Sequence, residues 1–376
     1  MRGFFCLRIE NLLQFSIFKG FKTNVTDLIM TRYRNPLVIG AGMIGSSVTY
    51  HLTKMGYSVK WFDSMPFGWF STSRAAGLIL QGSKGDSASL TRATLRDIDV
   101  LEKELGEDLG FVRCGSVAVG VDSVTWKEEK EDGYIDPMVL AGAYRRAATD
   151  YTFMHEKVDD LLVEDGKVLG LRAGGNDFFG DVIDCGGSWL GRLAMRQRLI
   201  QHLPFFPLRS HYFHVRYHSS PTILPAMLMD GMYVRHNGGD SYLLGIREKQ
   251  SYCYSGSLPN DWRALDKIKT DDTDDILMAS FDRIQKVFTD IENLEIVDYT
   301  AGFSNYTADG RYLIGEVCDG LYFAGGDCGS GIGASGGMGH MVAQKTFMDI
   351  YCPLRFTGRS LQSLRADILS VRGKKR

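Results

Sequence analysis

The spacing of apolar residues changes period along the 376-residue chain, and the changes mark its elements. Leu37-Val38-Ile39 is a short apolar run that predicts a buried strand, and Val48, Leu52 and Met55 continue at helical spacing. A second strand is predicted over Tyr57 to Phe62. Leu90, Ala93, Thr94, Ile98, Leu101 and Leu105 share one face of a helix predicted over 87–105, and another helix is predicted over 138–148. Residues 158–172 alternate in steps of two around Glu164-Asp165-Gly166-Lys167, which predicts a hairpin, and 178–184 reads as one more strand. From Pro207 alternation dominates, with a strand over 209–218 and a hairpin over 231–245 turning at Asn237-Gly238-Gly239-Asp240. A helix over 271–290, an apolar strand Leu321-Tyr322-Phe323-Ala324 and a helix over 340–351 complete the series.

The chemistry gathers at the strand-to-helix junctions. After the first strand, Gly40, Gly42 and Gly45 have the spacing G-x-G-x-x-G, with Met43 and Ile44 between the last two. Gly40 permits the tight turn, Gly42 lets backbone N–H groups approach a pyrophosphate, and Gly45 lets the helix pack closely. Asp63 ends the second strand, where an acid can accept from ribose hydroxyls and where a 2′-phosphate would be repelled. Beyond it, Ser71, Ser73, Arg74, Ala75 and Ala76 form a loop suited to a second phosphate or a cofactor edge. Gly186, Gly187 and Trp189 follow the 178–184 strand directly. The last strand runs into Gly326, Gly329, Ser330, Gly331, Ile332 and Gly333. A glycine-rich junction at each end implies a cofactor long enough to be gripped twice, at its pyrophosphate and at an electron-rich ring. That favours FAD over NAD.

Composition narrows the partners. The net charge of −2 and the lack of a basic stripe with interleaved aromatics predict no nucleic-acid partner. Seven scattered cysteines without a C-x-x-C pair predict neither a disulfide framework nor a metal site. Residues 1–29 are mildly basic and amphipathic, and no stretch is long and apolar enough to span a membrane. A targeting segment and a start-site artefact upstream of Met30 both fit them, which leaves mitochondrial and cytoplasmic locations open.

Taken in order, these motifs resemble the FAD-dependent amine and amino-acid oxidoreductases, the family of D-amino-acid oxidase, glycine oxidase and sarcosine oxidase. Gly133-Tyr134-Ile135-Asp136-Pro137, Asp184-Cys185-Gly186-Gly187-Ser188-Trp189 and Thr307-Ala308-Asp309-Gly310-Arg311-Tyr312 are also similar to family motifs. The stretches Ser210-His211-Tyr212 and Asp230-Gly231-Met232-Tyr233-Val234-Arg235 look closest to the sarcosine and dimethylglycine dehydrogenase branch. The resemblance implies an α/β chain: a Rossmann-like FAD-binding domain, its parallel sheet covered by helices on both faces, with an inserted α+β substrate domain built on an antiparallel sheet. The expected FAD-binding parts are 30–110, 133–203 and 301–352, the substrate domain is 204–300, 111–132 is a truncated insert and 353–376 a tail.

The resemblance also implies oxidation of the C–N bond of a small amine or amino acid, with O2 or an electron-transfer protein as acceptor. Arg74 stands where the dimethylglycine dehydrogenases attach flavin through a histidine, so FAD is expected to be held non-covalently. Leu243 stands near sarcosine oxidase's oxygen-activating lysine, which leans the expectation towards a dehydrogenase. His211, Tyr233, Arg235 and Tyr306 are the candidate substrate-side residues, with Arg235 or Arg247 able to clamp a carboxylate. Two alternatives stand beside this one: a flavoprotein acting as an assembly or binding factor, and an NAD-linked dehydrogenase.

Overall fold

The computed structural model describes residues 33–81, 86–119, 130–203, 205–218, 225–229, 231–246, 273–307 and 310–345. The expectations for 1–29, for 120–129 within the 111–132 insert, for Arg247 and for the C-terminal tail lie outside the described residues.

A six-stranded sheet takes strands from both ends of the chain. It comprises β1 (Leu37–Ile39), β2 (Val59–Phe62), β6 (Tyr151–Met154), β10 (Val182–Asp184), β16 (Leu313–Cys318) and β17 (Leu321–Gly325). Its order is β16-β17-β10-β1-β2-β6, parallel throughout except for β16 against β17. These strands are short and apolar because both faces are covered, as a parallel sheet requires. On one face lie α1 (Met43–Lys54), α2 (Asp86–Leu105), α3 (Pro137–Ala147) and α6 (Gly331–Gln344), whose apolar sides share a core containing Met43, Ile98, Leu140 and Ile332. Asp136 caps α3 by accepting from Met138 N at 2.7 Å, and Pro137 suits the first helical position.

The opposite face is covered mostly by β structure, where helices were expected. A meander of β7 (Val158–Glu164), β8 (Lys167–Ala173) and β9 (Asn176–Phe179) packs Leu161, Val168 and Leu171 against Leu37, Val182 and Phe323. Among the described residues, the five-residue α4 (Arg192–Arg196) is the α-helix there. Asp165 (φ 49°) and Gly166 (φ 75°) form the tight turn between β7 and β8, as the spacing predicts. The single strand expected over 178–184 is divided around Gly180, so β9 joins the meander and β10 the main sheet.

A second six-stranded sheet has the order β15-β11-β14-β13-β12-β4. It contains β4 (Ser116–Val119), β11 (Phe205–Tyr217), β12 (Ala226–Met229), β13 (Met232–His236), β14 (Ser241–Ile246) and β15 (Leu294–Thr307). All neighbours are antiparallel except β4 and β12. Helix α5 (Thr273–Val287) buries Ile276 and Ile284 against Phe213, Val234 and Leu244. A small pair, β3 (Leu78–Ile79) and β5 (Gly133–Tyr134), lies beside the start of α6.

The C-terminal glycine stretch departs from its expectation. Residues 331–339, read as loop, are the first turns of α6. Their glycines serve packing. A Cβ on Gly337 would stand 2.4 Å from Leu90 Cα, and one on Gly339 would stand 2.3 Å from Ser47 Oγ. Alanine at 337 would gain about 1 kcal/mol of helix propensity, whereas forcing a methyl onto α2 backbone costs about 1–3 kcal/mol. The clash therefore wins: Gly337→Ala is expected to lower the thermal midpoint, and an unchanged or raised midpoint would show that α2 and α6 can part at no cost.

Candidate active site

The two sheets and the ends of α1 and α6 enclose a cavity of about 570 Å³, within the range of small-molecule and cofactor sites. Gly40, Gly42, Met43 and Ile44 line its nucleotide end. Gly40 adopts φ +99°, and a Cβ there would lie 2.4 Å from Cys185 O, so only glycine lets the chain leave β1 past the end of β10. Met43 N donates to Thr72 Oγ1 at 2.9 Å. Gly45 does not line the cavity. A Cβ at Gly45 would lie 1.9 Å from Gly40 O, so its part is to let α1 begin tight on β1.

Asp63 lies on the cavity wall with its carboxylate already oriented. Ala41 N donates to Oδ2 at 2.6 Å and Met65 N to Oδ1 at 2.8 Å. Each oxygen keeps a lone pair for a ribose hydroxyl. Burial raises the Asp63 pKa, opposed by the backbone donors of Ala41 and Met65.

Of the next loop, Ser71, Arg74, Ala75 and Ala76 line the cavity and Ser73 does not. Ser71 Oγ donates to Phe303 O at 2.8 Å, which ties the loop to β15. Ser73 Oγ instead donates to Trp69 O inside its own turn. Arg74 stacks over Trp69 and Phe70 and donates to Trp69 O at 2.7 Å. Gly302 leaves room for it, since a Cβ there would lie 3.1 Å from Arg74 Cβ.

Gly186, Gly187 and Trp189 form a third wall. Asp184 holds this turn by accepting from Gly186 N and Gly191 N, each at 2.9 Å, and burial pushes its carboxyl up to about 6. At the far end, Gly326, Gly329, Ser330, Gly331 and Ile332 line the cavity, whereas Gly333 packs against β3. Asp327 accepts from Asn305 N at 2.9 Å, and burial likewise raises it to about 6.

His211, Tyr233 and Tyr306 come together on the wall formed by the second sheet. The Tyr233 ring lies across Gly245, where a Cβ would approach it to 2.0 Å. Arg235 is not brought into the cavity. It is buried among neighbours of its own, donating to Ala76 O at 2.5 Å, His236 O at 2.9 Å and Asn237 Oδ1 at 3.0 Å, with its guanidinium 4.4 Å from the Tyr134 ring centroid. Leu243 is also buried and absent from the lining, so it carries no weight on the electron acceptor. Among the described residues, the cation on this wall is Arg209, which the sequence pattern alone does not single out. Arg209 and His211 are two residues apart on β11 and face the same side, a spacing visible in the sequence once the strand is known.

The residues fit FAD. Thr72 Oγ1 takes the first N–H of α1 and the Asp327 carboxylate accepts from Gly331 N at the start of α6; Gly42 and Ser330 add no side-chain cap, and both helix ends open into one cavity. Such ends offer N–H donors and partial positive charge to phosphate and to an electron-rich ring. One cavity gripped in this way at two helix ends, beside a β-sheet wall carrying a cation and phenols, defines a dinucleotide-dependent redox protein. The model of the DAO family, "FAD dependent oxidoreductase", matches residues 37–132 and 126–345, and the chain belongs to that family. It is 23% identical over 363 residues to a glycine oxidase of Bacillus licheniformis, covering 84% of this chain and 93% of that protein. Its fold is that of the L-proline dehydrogenase of P. horikoshii (TM-score 0.70, 17% identity, 85% of this chain and 96% of that one). It is also that of the glycine oxidase of Geobacillus kaustophilus (TM-score 0.68, 20% identity, 88% and 99%).

Two outcomes follow for this site. Asp63→Ala removes the charged acceptor at the ribose end, and a charged hydrogen bond is worth about 1.5–3 kcal/mol. Retention of FAD, read by flavin absorbance after gel filtration, should fall about tenfold or more; full retention would remove Asp63 from the site. A carboxyl whose folded pKa lies above its ordinary value takes up a proton on folding, so its contribution is most favourable at low pH. For Asp184 that contribution is lost as pH rises from 3.8 towards about 6. Asp184→Asn should flatten thermal stability across that window, and an unaltered pH profile would count against a raised Asp184.

Proposed function

We propose that this chain oxidises the C–N bond of a small amino acid or N-methylated amine, with FAD held non-covalently. The observation that carries this reading is the β-sheet wall, where Arg209, His211, Tyr233 and Tyr306 line the same cavity as both helix ends. FAD, when bound, supplies the two-electron acceptor. The protein's part is to hold the substrate and keep water from it. Arg209 pairs with the substrate carboxylate as a planar donor fork. Tyr233, lying flat across Gly245, presents ring and hydroxyl to the rest of the substrate. His211 has one wall of its surroundings fixed by Phe213, edge to face at 5.6 Å, which limits its rotation. The oxidised substrate is an imine, which water hydrolyses after release.

Arg74 supports the non-covalent reading, because a guanidinium is a cation with no lone pair free to attack a ring carbon. The activities named for the relatives, glycine oxidase and L-proline dehydrogenase, agree with an amino acid as substrate.

Anaerobic mixing of the yellow protein with a panel of amino acids and their N-methyl derivatives tests the reading. Bleaching of the flavin by a member of the panel is the expected result, and reoxidation in air against reoxidation by a dye then identifies the acceptor. A flavin that no member bleaches would favour a binding or assembly role. Arg209→Ala should raise KM for the bleaching substrate about 10- to 100-fold, the loss of one charged contact, with a smaller change in kcat. An unchanged KM would show that the carboxylate is held elsewhere.

A further inference from the structure

On the helical face, apart from the cavity, three ligating side chains from three helices converge. They are His51 on α1, Asp97 on α2 and His340 on α6, and none of them lines the cavity. His51 Nε2 lies 2.9 Å from Asp97 Oδ2 and His340 Nε2 lies 3.2 Å from Asp97 Oδ1. One ligand atom from each residue falls within 4.8 Å of the others. The two imidazole rings stack with centroids 3.8 Å apart and planes at 35°. Tyr144 on α3 donates to Asp97 Oδ2 at 2.8 Å, so the carboxylate is oriented from a fourth helix.

The surroundings are shaped to this group. A Cβ on Gly336 would lie 2.4 Å from Asp97 Oδ2, and one on Gly339 would lie 2.5 Å from His51 Cδ2. Two of the glycines of α6 therefore make room for two of the three side chains. His51 and Asp97 are buried, while the His340 side chain is 35% exposed and gives the group its opening to solvent.

Two imidazoles and one carboxylate, without thiolates and with too few oxygens for calcium or magnesium, are the donor set of a borderline dication such as zinc. Ligand atoms at about 2.0–2.1 Å from a tetrahedral zinc stand roughly 3.3 Å from one another. The two contacts to Asp97 are already near that spacing, and the two imidazole rings, stacked at 3.8 Å, splay apart for both Nε2 atoms to meet one ion. We propose that His51, Asp97 and His340 form a zinc-type divalent-metal site that ties α1, α2 and α6 together, with Tyr144 as the outer hydrogen-bond partner of the carboxylate. Zinc takes the Nε2 lone pair of each neutral ring, whose proton then resides on Nδ1, and a water on the His340 side completes four ligands. The role is structural: the site lies along the helices whose other ends open into the cavity.

The test uses the full-length, flavin-loaded protein, stripped with a chelator and titrated with ZnCl2 by calorimetry, with the thermal midpoint measured alongside. One equivalent bound with a raised midpoint is expected. His340→Ala, at the most exposed of the three positions, should weaken binding about tenfold or more, and Tyr144→Phe, which keeps the packing, about 10- to 100-fold. A retained flavin spectrum certifies the fold of each variant. The proposal is overturned if stripped wild-type protein shows neither heat nor a shift. It is equally overturned if Tyr144→Phe and His340→Ala bind zinc as wild type does, which would place the ion elsewhere and leave the three side chains as a hydrogen-bonded lock.

Discussion

The close approach of α6 to α1 and α2 is the constraint on which the rest depends. α1 and α6 each present an N-terminus to the same cavity, and they do so because glycines at 336, 337 and 339 remove the side chains that would hold the helices apart. Van der Waals contact at that distance is individually weak but collectively large, and it leaves no slack for an added methyl. The same closeness allows His51, Asp97 and His340 to meet. A single sequence feature, glycine repeated along one helix, thus sets both the cofactor grip and the polar cluster behind it.

The cavity's electrostatics follow from burial more than from ion pairs. Asp184 and Asp327 are both pushed up to about 6 by desolvation, and both are held by backbone N–H donors. They order two turns against the cavity, and with pKa values of about 6 both are largely ionised at neutral pH, their charge met by those backbone dipoles. Arg235 makes a complementary case. Its charge is buried, but its donors end on carbonyls and an amide, so it braces the loop at Ala76 against β13.

Most of the cofactor end was legible in the sequence, because G-x-G-x-x-G, a strand, a helix and a following acid each impose their own local geometry. The rest resisted for identifiable reasons. Residues 331–339 look like a loop because glycine is a poor helix former, and only the packing against α2 and α1 reveals why a helix uses it there. β15 went unread since residues 295–299 are exposed and carry no clean alternation. The division at Gly180 is a tertiary choice between two sheets. Arg209 was missed because its significance lies in which face of β11 it occupies, and that is fixed by β14 and β15 pairing with it across long stretches of chain.

The order of strands in the first sheet bears on how the chain is made. β17 lies between β16 and β10, yet it is synthesised about 140 residues after β10. A nascent chain that has emerged as far as β15 has an unpaired β10 edge and no α6 to cover α1 and α2. Domains tend to fold as units during synthesis, and exposed strand edges invite wrong pairing. For this chain, the last 33 described residues, 313–345, therefore close the sheet, cap the helical core and finish the cavity in one late event. Until those residues are made, the chain carries a sticky strand edge in place of a flavin site.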